Sequence, residues 1–425
     1  MSEQLLRRIS LGQLADRNIN VIDEATLSRA SEIVEDVRTN GDEALLRWSR
    51  EFGDLSDSGD SHVLTRDRLE AAFKALPTCD QELLMRVADR IRCFAKAQLG
   101  CATELSVLID GGMAGHTWAP LKVAGCYAPG GRFPLPSSVL MTVVTARVAG
   151  VKKVWACSPK PSLHTLAAAF VGNADALLTA GGAQAIAAMA YGTESVECSD
   201  IIVGPGNRWV TAAKQIVSAG VKIDMLAGPT ELLIVADDSA DASLVAANLL
   251  AQAEHDEDAM PMLISLSDKL VAKVNSELAN QLAELRTAST ARKALQHGFS
   301  LVVEDFRQAV AIAEKIAPEH LQLVISDAGR MASAFSNYGA LFIGQFTPEV
   351  LGDYGAGPNH VLPTCGMART CGGLSVFSFL SLRTWLRIDN VPAAASIVAD
   401  AKRLATIEGL HAHEKAAAYL GGLLK

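Results

Sequence analysis

The spacing of apolar and polar residues divides the chain into three regions. Up to about residue 105, apolar residues recur at helical spacing in "EATLSRASEIVEDVRTNGDEALLRWSREFG" and again in "RDRLEAAFKALPTCDQELLMRVADRIRCFAKAQ". This region is therefore predicted to be helical, with a break at Gly41. From there to about residue 380, short apolar runs alternate with glycine-rich loops and helical patterns. The remaining Ala-rich residues predict further helices.

The middle region predicts strands that alternate with helices. The apolar runs "KKVWACS", "ADALLTAGG", "DIIVGPGN" and "ELLIVADD" are each followed by a helical pattern, for example "LHTLAAAFVG". The runs "PMLISLS", "LVVED", "LQLVIS" and "ALFIGQ" predict further strands. Such alternation is typical of parallel, doubly wound α/β units. We therefore predict an α/β fold with two Rossmann-like doubly wound parallel-sheet domains, at 106–235 and 236–380, and helical terminal segments at 1–105 and 381–425.

Composition and charge exclude several classes of protein. The 425 residues are 49% apolar and only 5% aromatic, which favours stacked βα units over a β-sandwich. The formal net charge is −9, and no Lys/Arg-rich block is present, so a nucleic-acid partner is not expected. No apolar run has signal-peptide or membrane-span character, and the eight cysteines contain no CxxC pair. These features predict a soluble cytoplasmic protein without a membrane partner.

The stretch "KIAPEHLQLVIS" places two ionisable residues, Glu319 and His320, between a predicted helix and a predicted strand. Pro318 lacks a backbone donor and disfavours helix at the residue before it, so the helix should end there. Tight connections of this kind tend to present functional side chains. The alternative is structural, because a helix C-terminus also attracts a cationic histidine.

Further candidate metal ligands are spread over three segments. "LLAQAEHDED" places an amide and an imidazole three residues apart, so they share one helix face; "GDYGAGPNHVLPT" is a Gly/Pro-rich loop; "IEGLHAHEKA" surrounds a helix break at Gly409. The candidates are Gln252, His255, Asp353, His360, Glu408, His411 and His413. Imidazoles and a carboxylate from separated segments can form a zinc site with open positions, although they can equally be solvated histidines at helix ends.

Three glycine-rich turns between predicted strands and helices could hold a dinucleotide. They are "YAPGGRFPLPSS" (127–138), "TAGGAQAIAA" (179–188) and "VGPGNRWV" (203–210). Glycine allows the backbone to approach phosphates, and the following helix offers its N-terminal N–H groups. None contains GxGxxG, and the glycines can also be ordinary turn residues. From the residues alone we expect a metal-assisted enzyme that handles a nucleotide; a zinc hydrolase in which Glu319 activates water remains open.

An ordered series of motifs resembles the histidinol dehydrogenase family over roughly residues 105 to 420. The series runs "YAPGGRFPLPSSVLM", "TAGGAQAIAAMAYGTE", "IIVGPGNRWVTAAK", "AGPTELLIVAD", "LLAQAEHD", "IAPEHLQL", "GDYGAGPNHVLPT" and "EGLHAHEKA". The resemblance implies catalytic roles for Glu319 and His320, and zinc ligation by Gln252, His255, Asp353 and His413. It also implies that these ligands and His320 bind substrate together with Thr230, His360 and Glu408, and that Tyr127, Gln184 and Asn207 contact NAD.

The resemblance further implies an activity and an assembly. The family performs the NAD-dependent, zinc-assisted four-electron oxidation of L-histidinol to L-histidine through histidinal, with one Zn²⁺ per subunit, in a homodimer. His320 suits the role of the base that accepts the alcohol proton. Glu319 suits the role of the base that activates the water that attacks the aldehyde. The active site would be completed by the C-terminal tail of the partner, which carries Glu408 and His413.

The chain departs from the family pattern at Thr145, Ile201, Arg208, Trp209 and Leu420, none of which is an expected ligand or catalytic group. One alternative is a paralogue that oxidises another small polyol, such as a sulfonated diol. Glu408 beside His413 argues against it, because a carboxylate would repel a sulfonate. A non-catalytic NAD- or metal-binding subunit is a further alternative, beside the zinc hydrolase.

Overall fold

The computed structural model describes residues 4–14, 22–55, 61–130 and 134–422. The first elements are α1 (Glu24–Glu51), β1 (Val63–Thr65), α2 (Arg66–Lys74) and α3 (Thr78–Leu99). α1 begins at Asp23, whose carboxylate accepts a hydrogen bond of 2.8 Å from the backbone N–H of Thr26. Within α1, Gly41 has a φ of 53°, so the helix is interrupted where the sequence predicts a break.

The next region alternates strands and helices after an antiparallel hairpin. The hairpin consists of β2 (Leu105–Ile109) and β3 (Gly112–Pro120). The alternating elements are β4 (Val123–Tyr127), α4 (Pro136–Val148), β5 (Lys153–Cys157), α5 (Leu163–Gly172), β6 (Ala176–Leu178), α6 (Gly182–Tyr191), β7 (Ile201–Val203), α7 (Arg208–Val217) and β8 (Lys222–Ile223). α5 coincides with the predicted helix "LHTLAAAFVG", because Ser162 caps its start and Asn173, in the left-handed region, ends it.

A six-stranded sheet forms from this region in the order β1-β6-β5-β4-β7-β8. All neighbouring pairs are parallel except β1 and β6. The chain proceeds outward from β4 in one direction and then returns to form β7 on its other side. A crevice therefore opens at the carboxyl ends of β4 and β7, the usual ligand position in open α/β sheets.

A second sheet is entirely parallel, in the order β11-β10-β9-β12-β13. Its strands alternate with six helices. The elements are β9 (Glu231–Ala236), α8 (Ala242–Ala253), β10 (Met260–Ser265), α9 (Asp268–Glu284), α10 (Ala288–His297), β11 (Phe299–Val302), α11 (Phe306–Ile316), β12 (His320–Val324), α12 (Ala328–Met331), β13 (Ala340–Ile343) and α13 (Glu349–Tyr354). The predicted pair of doubly wound parallel sheets is confirmed.

The apolar run 232–236 of β9 follows from the central position of this strand. Successive side chains of a strand point to opposite faces, and helices cover both faces of this sheet. Leu232 and Ile234 pack into the apolar core on one face, whereas Leu233 and Val235 pack into the core on the other. All six residues of the strand are buried.

The last elements are β14 (Leu380–Ile388), α14 (Ala395–Ile407) and α15 (His411–Gly422). The two helices agree with the helical C-terminal segment predicted from the sequence, but β14 was not predicted. It pairs antiparallel with β3 in a three-stranded sheet of order β14-β3-β2.

The chain forms two compact units. One unit comprises residues 1–96 and 121–379, and the other comprises 97–120 and 380–425. The four-segment division drawn from the sequence stays a prediction. Among the described helices, none combines the length and the apolar character needed to cross a membrane.

Candidate active site

A cleft of about 1640 Å³ lies within the first unit, where opposite ends of its two main sheets meet. The carboxyl ends of β4 and β7 contribute Tyr127 and Gly204 to its wall. The amino ends of β9 and β12 contribute Thr230 and His320. The crevice of the first sheet thus faces the beginning of the central strands of the second, and candidate residues from both sheets line one cavity.

Glu319 reaches the cleft because α11 ends three residues before it, at Ile316. Ala317 caps α11 in the left-handed region with a φ of 50°, and Pro318 cannot continue the helix. The predicted helix end is therefore confirmed. The buried Glu319 carboxylate accepts hydrogen bonds from Thr230 Oγ1 at 2.7 Å and from the N–H of Glu231 at 2.9 Å.

Burial raises the pKa of Glu319 to about 8, although its two hydrogen-bond donors favour the charged form and oppose that rise. The negative charge of Asp353 raises the pKa further. A carboxyl group with such a pKa can exchange protons near neutral pH, which is the property required of a general base.

His320, the first residue of β12, has a defined tautomer. Its Nδ1 lies 2.9 Å from the carbonyl oxygen of Glu231, and a carbonyl can only accept, so Nδ1 carries the proton. Nε2 of the neutral ring is consequently a free acceptor. This buried atom has no hydrogen-bond partner in the described structure and lies 4.0 Å from Asp353 Oδ1. The ring is thus prepared to receive a proton from a molecule in the cleft.

Three side chains could share a metal ion. Ligand atoms of His255, Glu349 and Asp353 all lie within 4.8 Å of one another. The chemistry of this set, an imidazole with carboxylates, suits zinc and related divalent ions. Of the four ligands implied by the sequence resemblance, His255 and Asp353 belong to this group, with Nε2 of the histidine 3.8 Å from Oδ2 of the aspartate.

Gln252, another implied ligand, is fully buried near the end of α8, three residues before His255, which lies just beyond that helix. Its Nε2 donates to Thr230 Oγ1 at 2.9 Å, so its amide is connected to the Glu319 network. Its Oε1 is buried and has no hydrogen-bond partner in the described structure. A buried acceptor without a partner destabilises the folded protein unless a cation or a hydrogen-bond donor reaches it. Gln252 therefore fits the role of a metal ligand.

Glu349 was not identified from the sequence. It is the first residue of α13, is buried, and its Oε1 lies 3.6 Å from His320 Nδ1. Burial raises the pKa of this carboxyl to about 8. Its four-residue spacing from Asp353 was the available signal, because residues at that spacing share a helix face.

His360 lies next to Asp353 at the wall of the cleft and is held by two hydrogen bonds. Its Nδ1–H donates to the carbonyl oxygen of Asp353 at 2.9 Å, which leaves Nε2 to accept from Ser138 Oγ at 3.2 Å. Burial lowers the pKa of this imidazole. The ring is therefore neutral and fixed at the wall of the cleft.

The candidate cofactor contacts Tyr127, Gln184 and Asn207 all line the cleft. Gln184 donates from Nε2 to Asp54 at 3.2 Å, while its buried Oε1 has no partner in the described structure. Asn207 caps α7 by accepting hydrogen bonds from the N–H groups of the first helical turn. Asp54 also accepts from the N–H of Gly181 at 2.8 Å and was not identified from the sequence. Burial raises the pKa of Asp54.

Two of the departures from the family pattern also lie at the cleft. The Arg208 guanidinium is 5.4 Å from the ring centroid of Trp209, close enough for a cation–π contact.

Residues 131–133, in the middle of the first glycine-rich turn, lie outside the described residues.

Glu408 and His413 are not brought to this cleft. The residues that line it belong to the first unit, whereas these two lie at the end of α14 and within α15 of the second unit. Both are exposed and line a separate depression of about 380 Å³. Among the described residues that line the cleft, the implied ligands and substrate contacts are therefore those of the first unit.

Comparison with known proteins identifies the family. The sequence model described as histidinol dehydrogenase matches residues 17–419. Histidinol dehydrogenase of Methylococcus capsulatus is 39% identical over 424 residues, 98% of this chain and 95% of that protein. The Thermus thermophilus protein of the same name is 43% identical over 385 residues, 90% of this chain and 92% of its own length.

The fold agrees with this result. The crystal structure of histidinol dehydrogenase from Elizabethkingia anophelis is similar with a TM-score of 0.93 and 30% identity, over 100% of both chains. The resemblance found in the motifs is thereby confirmed across nearly the whole sequence. The chain belongs to the histidinol dehydrogenase family.

Proposed function

We propose that the protein catalyses the NAD-dependent, zinc-assisted oxidation of L-histidinol to L-histidine through histidinal, the last steps of histidine biosynthesis. The observation that carries the proposal is the pair Glu319–His320 in one cleft with His255 and Asp353. An unprotonated imidazole nitrogen and a carboxyl group of raised pKa lie there side by side. Two successive oxidations require two such bases.

The first oxidation needs a base for the alcohol proton. His320 Nε2 accepts this proton, while Nδ1–H remains bonded to the Glu231 carbonyl and fixes the ring. NAD, when bound, supplies the acceptor for the hydride that leaves the alcohol carbon. One hydride and one proton leave the substrate, and the product is the aldehyde, histidinal.

The second oxidation needs a water molecule. Ionised Glu319 removes a proton from water as the water oxygen bonds to the aldehyde carbon, and the former carbonyl oxygen takes up a proton, such as the one that His320 Nε2 accepted in the first oxidation, which gives the hydrate. Loss of a second hydride and a proton from the hydrate gives the carboxylic acid, which ionises to histidine. Thr230 Oγ1 and the N–H of Glu231 favour the ionised carboxylate that this step needs. The sum consumes one water and two NAD and releases three protons.

Gln252, His255 and Asp353, together with His413 from a second copy, would hold the zinc ion. The unpartnered Oε1 of Gln252 and the short separation of His255 and Asp353 support this assignment. At this position the ion would supply an anchor for the imidazole and amine of the substrate, the template role of a metal. Thr230, His360 and Glu408 would complete the substrate pocket.

The dinucleotide would lie at the crevice of the first sheet, against Tyr127, Gln184 and Asn207. Two features support this position. The unpartnered Gln184 Oε1 is available to a donor, and Gly204 brings bare backbone to the wall of the cleft. The absence of a GxGxxG motif is compatible with a site formed by several shorter glycine turns.

A homodimer in which each tail completes the partner's active site is part of the proposal. Large apolar side chains are exposed on the second unit, among them Leu108, Leu386, Ile407 and Tyr419. Phe346, three residues after the end of β13, is also exposed on the first unit. Exposed apolar groups of this kind mark surfaces that a protein partner covers. A closed twofold dimer would carry two composite sites.

A cytoplasmic location is also proposed. Its support is the state of the eight cysteines, all of which are free thiols in the structure. Reduced thiols of this number are typical of a reducing compartment.

The decisive experiment is a spectrophotometric measurement of NADH formed per substrate, on a panel of amino alcohols and diols, with and without a chelator. We expect two NADH per histidinol, little free aldehyde, and loss of turnover when metal is removed. One NADH per histidinol with accumulated histidinal would overturn the four-electron reaction. Preference for a sulfonated diol would instead support the paralogue.

A further inference from the structure

Lys214 and Asp224 form an ion pair inside the first unit. Their side chains are only 2% and 1% exposed, and the ammonium group contacts the carboxylate directly. Removing two charges from water is unfavourable unless close pairing and further hydrogen bonds compensate for the lost hydration. The proposed reaction uses neither group. The position of the pair, beside the glycine-rich turn at 203–210, indicates what it does.

Both charged groups hold the backbone of the same residue. Lys214 Nζ donates to the carbonyl oxygen of Gly204 at 2.9 Å, and Asp224 Oδ2 accepts from the N–H of Gly204 at 2.7 Å. The carbonyl and the N–H of this glycine are therefore each fixed by a charged partner. Asp224 Oδ1 accepts in addition from the N–H of Met225 at 2.7 Å.

Gly204 has no side chain that could fix its own backbone, so its conformation depends on hydrogen bonds from other residues. Its φ is +117°, and a Cβ atom built on it would lie 1.9 Å from the carbonyl oxygen of Tyr127. The backbone of the loop therefore presses against the end of β4, a position open only to glycine. The next residues, Pro205 and Gly206, also line the cleft.

The same face of α7 is bonded to the segment that leads to the substrate side. Thr211, three residues before Lys214, donates from Oγ1 to the carbonyl oxygen of Ala227 at 2.8 Å. Gly228 in turn donates its N–H to Thr364 Oγ1 at 2.6 Å. Residues 227–230 line the cleft and end in Thr230, the hydrogen-bond donor to Glu319. α7 is thus bonded both to the glycine loop on one wall of the cleft and to residues 227–230 on the other.

We propose that Lys214 and Asp224 are positioning residues that hold the glycine loop 204–207 in the conformation that binds the dinucleotide. The inference rests on the proposed use of NAD at this crevice. The pair acts through the backbone of Gly204 and makes no contact with the reacting atoms. Its contribution is preorganisation: a loop already fixed loses less conformational freedom when the cofactor binds.

The test separates this role from a contribution to stability alone. Lys214→Met removes the ammonium but leaves a buried carboxylate, so that variant is expected to be less stable. Lys214→Met/Asp224→Asn removes both charges and should regain much of that stability while still lacking the ammonium bond to the loop. Leu278→Ala is the matched control, because it creates a cavity in the core of the second sheet away from the cleft.

We expect NAD affinity, measured by titration and as KM, to fall about tenfold in the double variant, the effect of losing one charged hydrogen bond. kcat and KM for histidinol should stay within about twofold of wild type, because Glu319 and His320 keep their contacts. Leu278→Ala should bind NAD normally at a temperature where it is folded.

Two results would overturn the inference. One is NAD affinity that returns to the wild-type value in the double variant as its stability returns. The other is an equal loss of NAD affinity in Leu278→Ala. If the double variant does not fold, Lys214→Met alone, measured at a temperature where it is folded, gives the same comparison, because it removes the same ammonium bond to Gly204. A wild-type protein that does not bind NAD would overturn the proposed function itself, and the inference with it.

Discussion

Replacing Thr230 with valine tests the role of Glu319 through pH. The Thr230 hydroxyl donates to the Glu319 carboxylate at 2.7 Å, one of two hydrogen bonds that favour its ionised form. Valine has nearly the same shape but cannot donate. Because the lost bond stabilised the charged state, the pKa of Glu319 should rise above its value of about 8.

The size of the shift follows from the strength of that bond. A hydrogen bond to a charged group contributes about 1.5–3 kcal/mol. One pKa unit corresponds to about 1.4 kcal/mol, so a shift of roughly one to two units is expected. The assay is kcat/KM for supplied histidinal as a function of pH, which isolates the half-reaction that needs ionised Glu319. The ascending limb, which follows ionisation of Glu319 with its pKa of about 8, should move to higher pH.

Two controls make the result decisive. Thr230→Ser keeps the hydroxyl, so its limb should coincide with that of the wild type. Any cation bound by His255 and Asp353 acts on all variants alike, which makes the difference between valine and serine the informative quantity. A valine limb that coincides with the serine limb, or lies at lower pH, would show that Glu319 is not the titrating base.

Three further predictions concern the proposed site. Glu319→Gln should slow histidinal oxidation far more than histidinol oxidation, and His320→Ala should slow the first half by ~10²–10⁴-fold; equal losses in both halves would contradict the division of roles. His255→Ala and Asp353→Ala should each lose stoichiometric zinc, measured by metal analysis after dialysis, whereas full zinc in both would show that the ligands are wrong. Mixing inactive His320→Ala with inactive His413→Ala subunits should restore about one quarter of wild-type activity, because half of randomly assorted dimers are mixed and each has one intact site. No recovery after verified subunit exchange would reject a site completed by the partner's tail.

Features set by local sequence were predicted well. The end of α11 depends on Pro318 and on the residue before it, and both effects act over one peptide bond. The bounds of α5 depend on Ser162 and on Asn173, one at each end of the helix. The apolar runs of the two sheets were equally evident, because strands buried on both faces consist largely of apolar residues.

Features that depend on distant partners were not predicted. β14 was included in a helical tail, since most of its residues are exposed and its partner β3 lies far away in the sequence. Glu349 at the start of α13 resembles an ordinary first-turn acid until the fold buries it beside His320. The helix containing Lys214 was predicted, but its burial against Asp224 depends on the position of the segment after β8. The roles of the candidate site residues themselves stay predictions.

The pairing of β3 with β14 constrains the order in which a growing chain can fold. β3 leaves the ribosome early, paired only with β2, while its other partner is among the last strands to be made. Throughout synthesis of the first unit's two parallel sheets, that edge of β3 offers unpaired N–H and C=O groups to other chains. A nascent chain released before β14 would keep this open edge permanently. Premature termination near the C-terminus should therefore cause aggregation out of proportion to the few residues lost, and protein quality control would have to act on such fragments quickly.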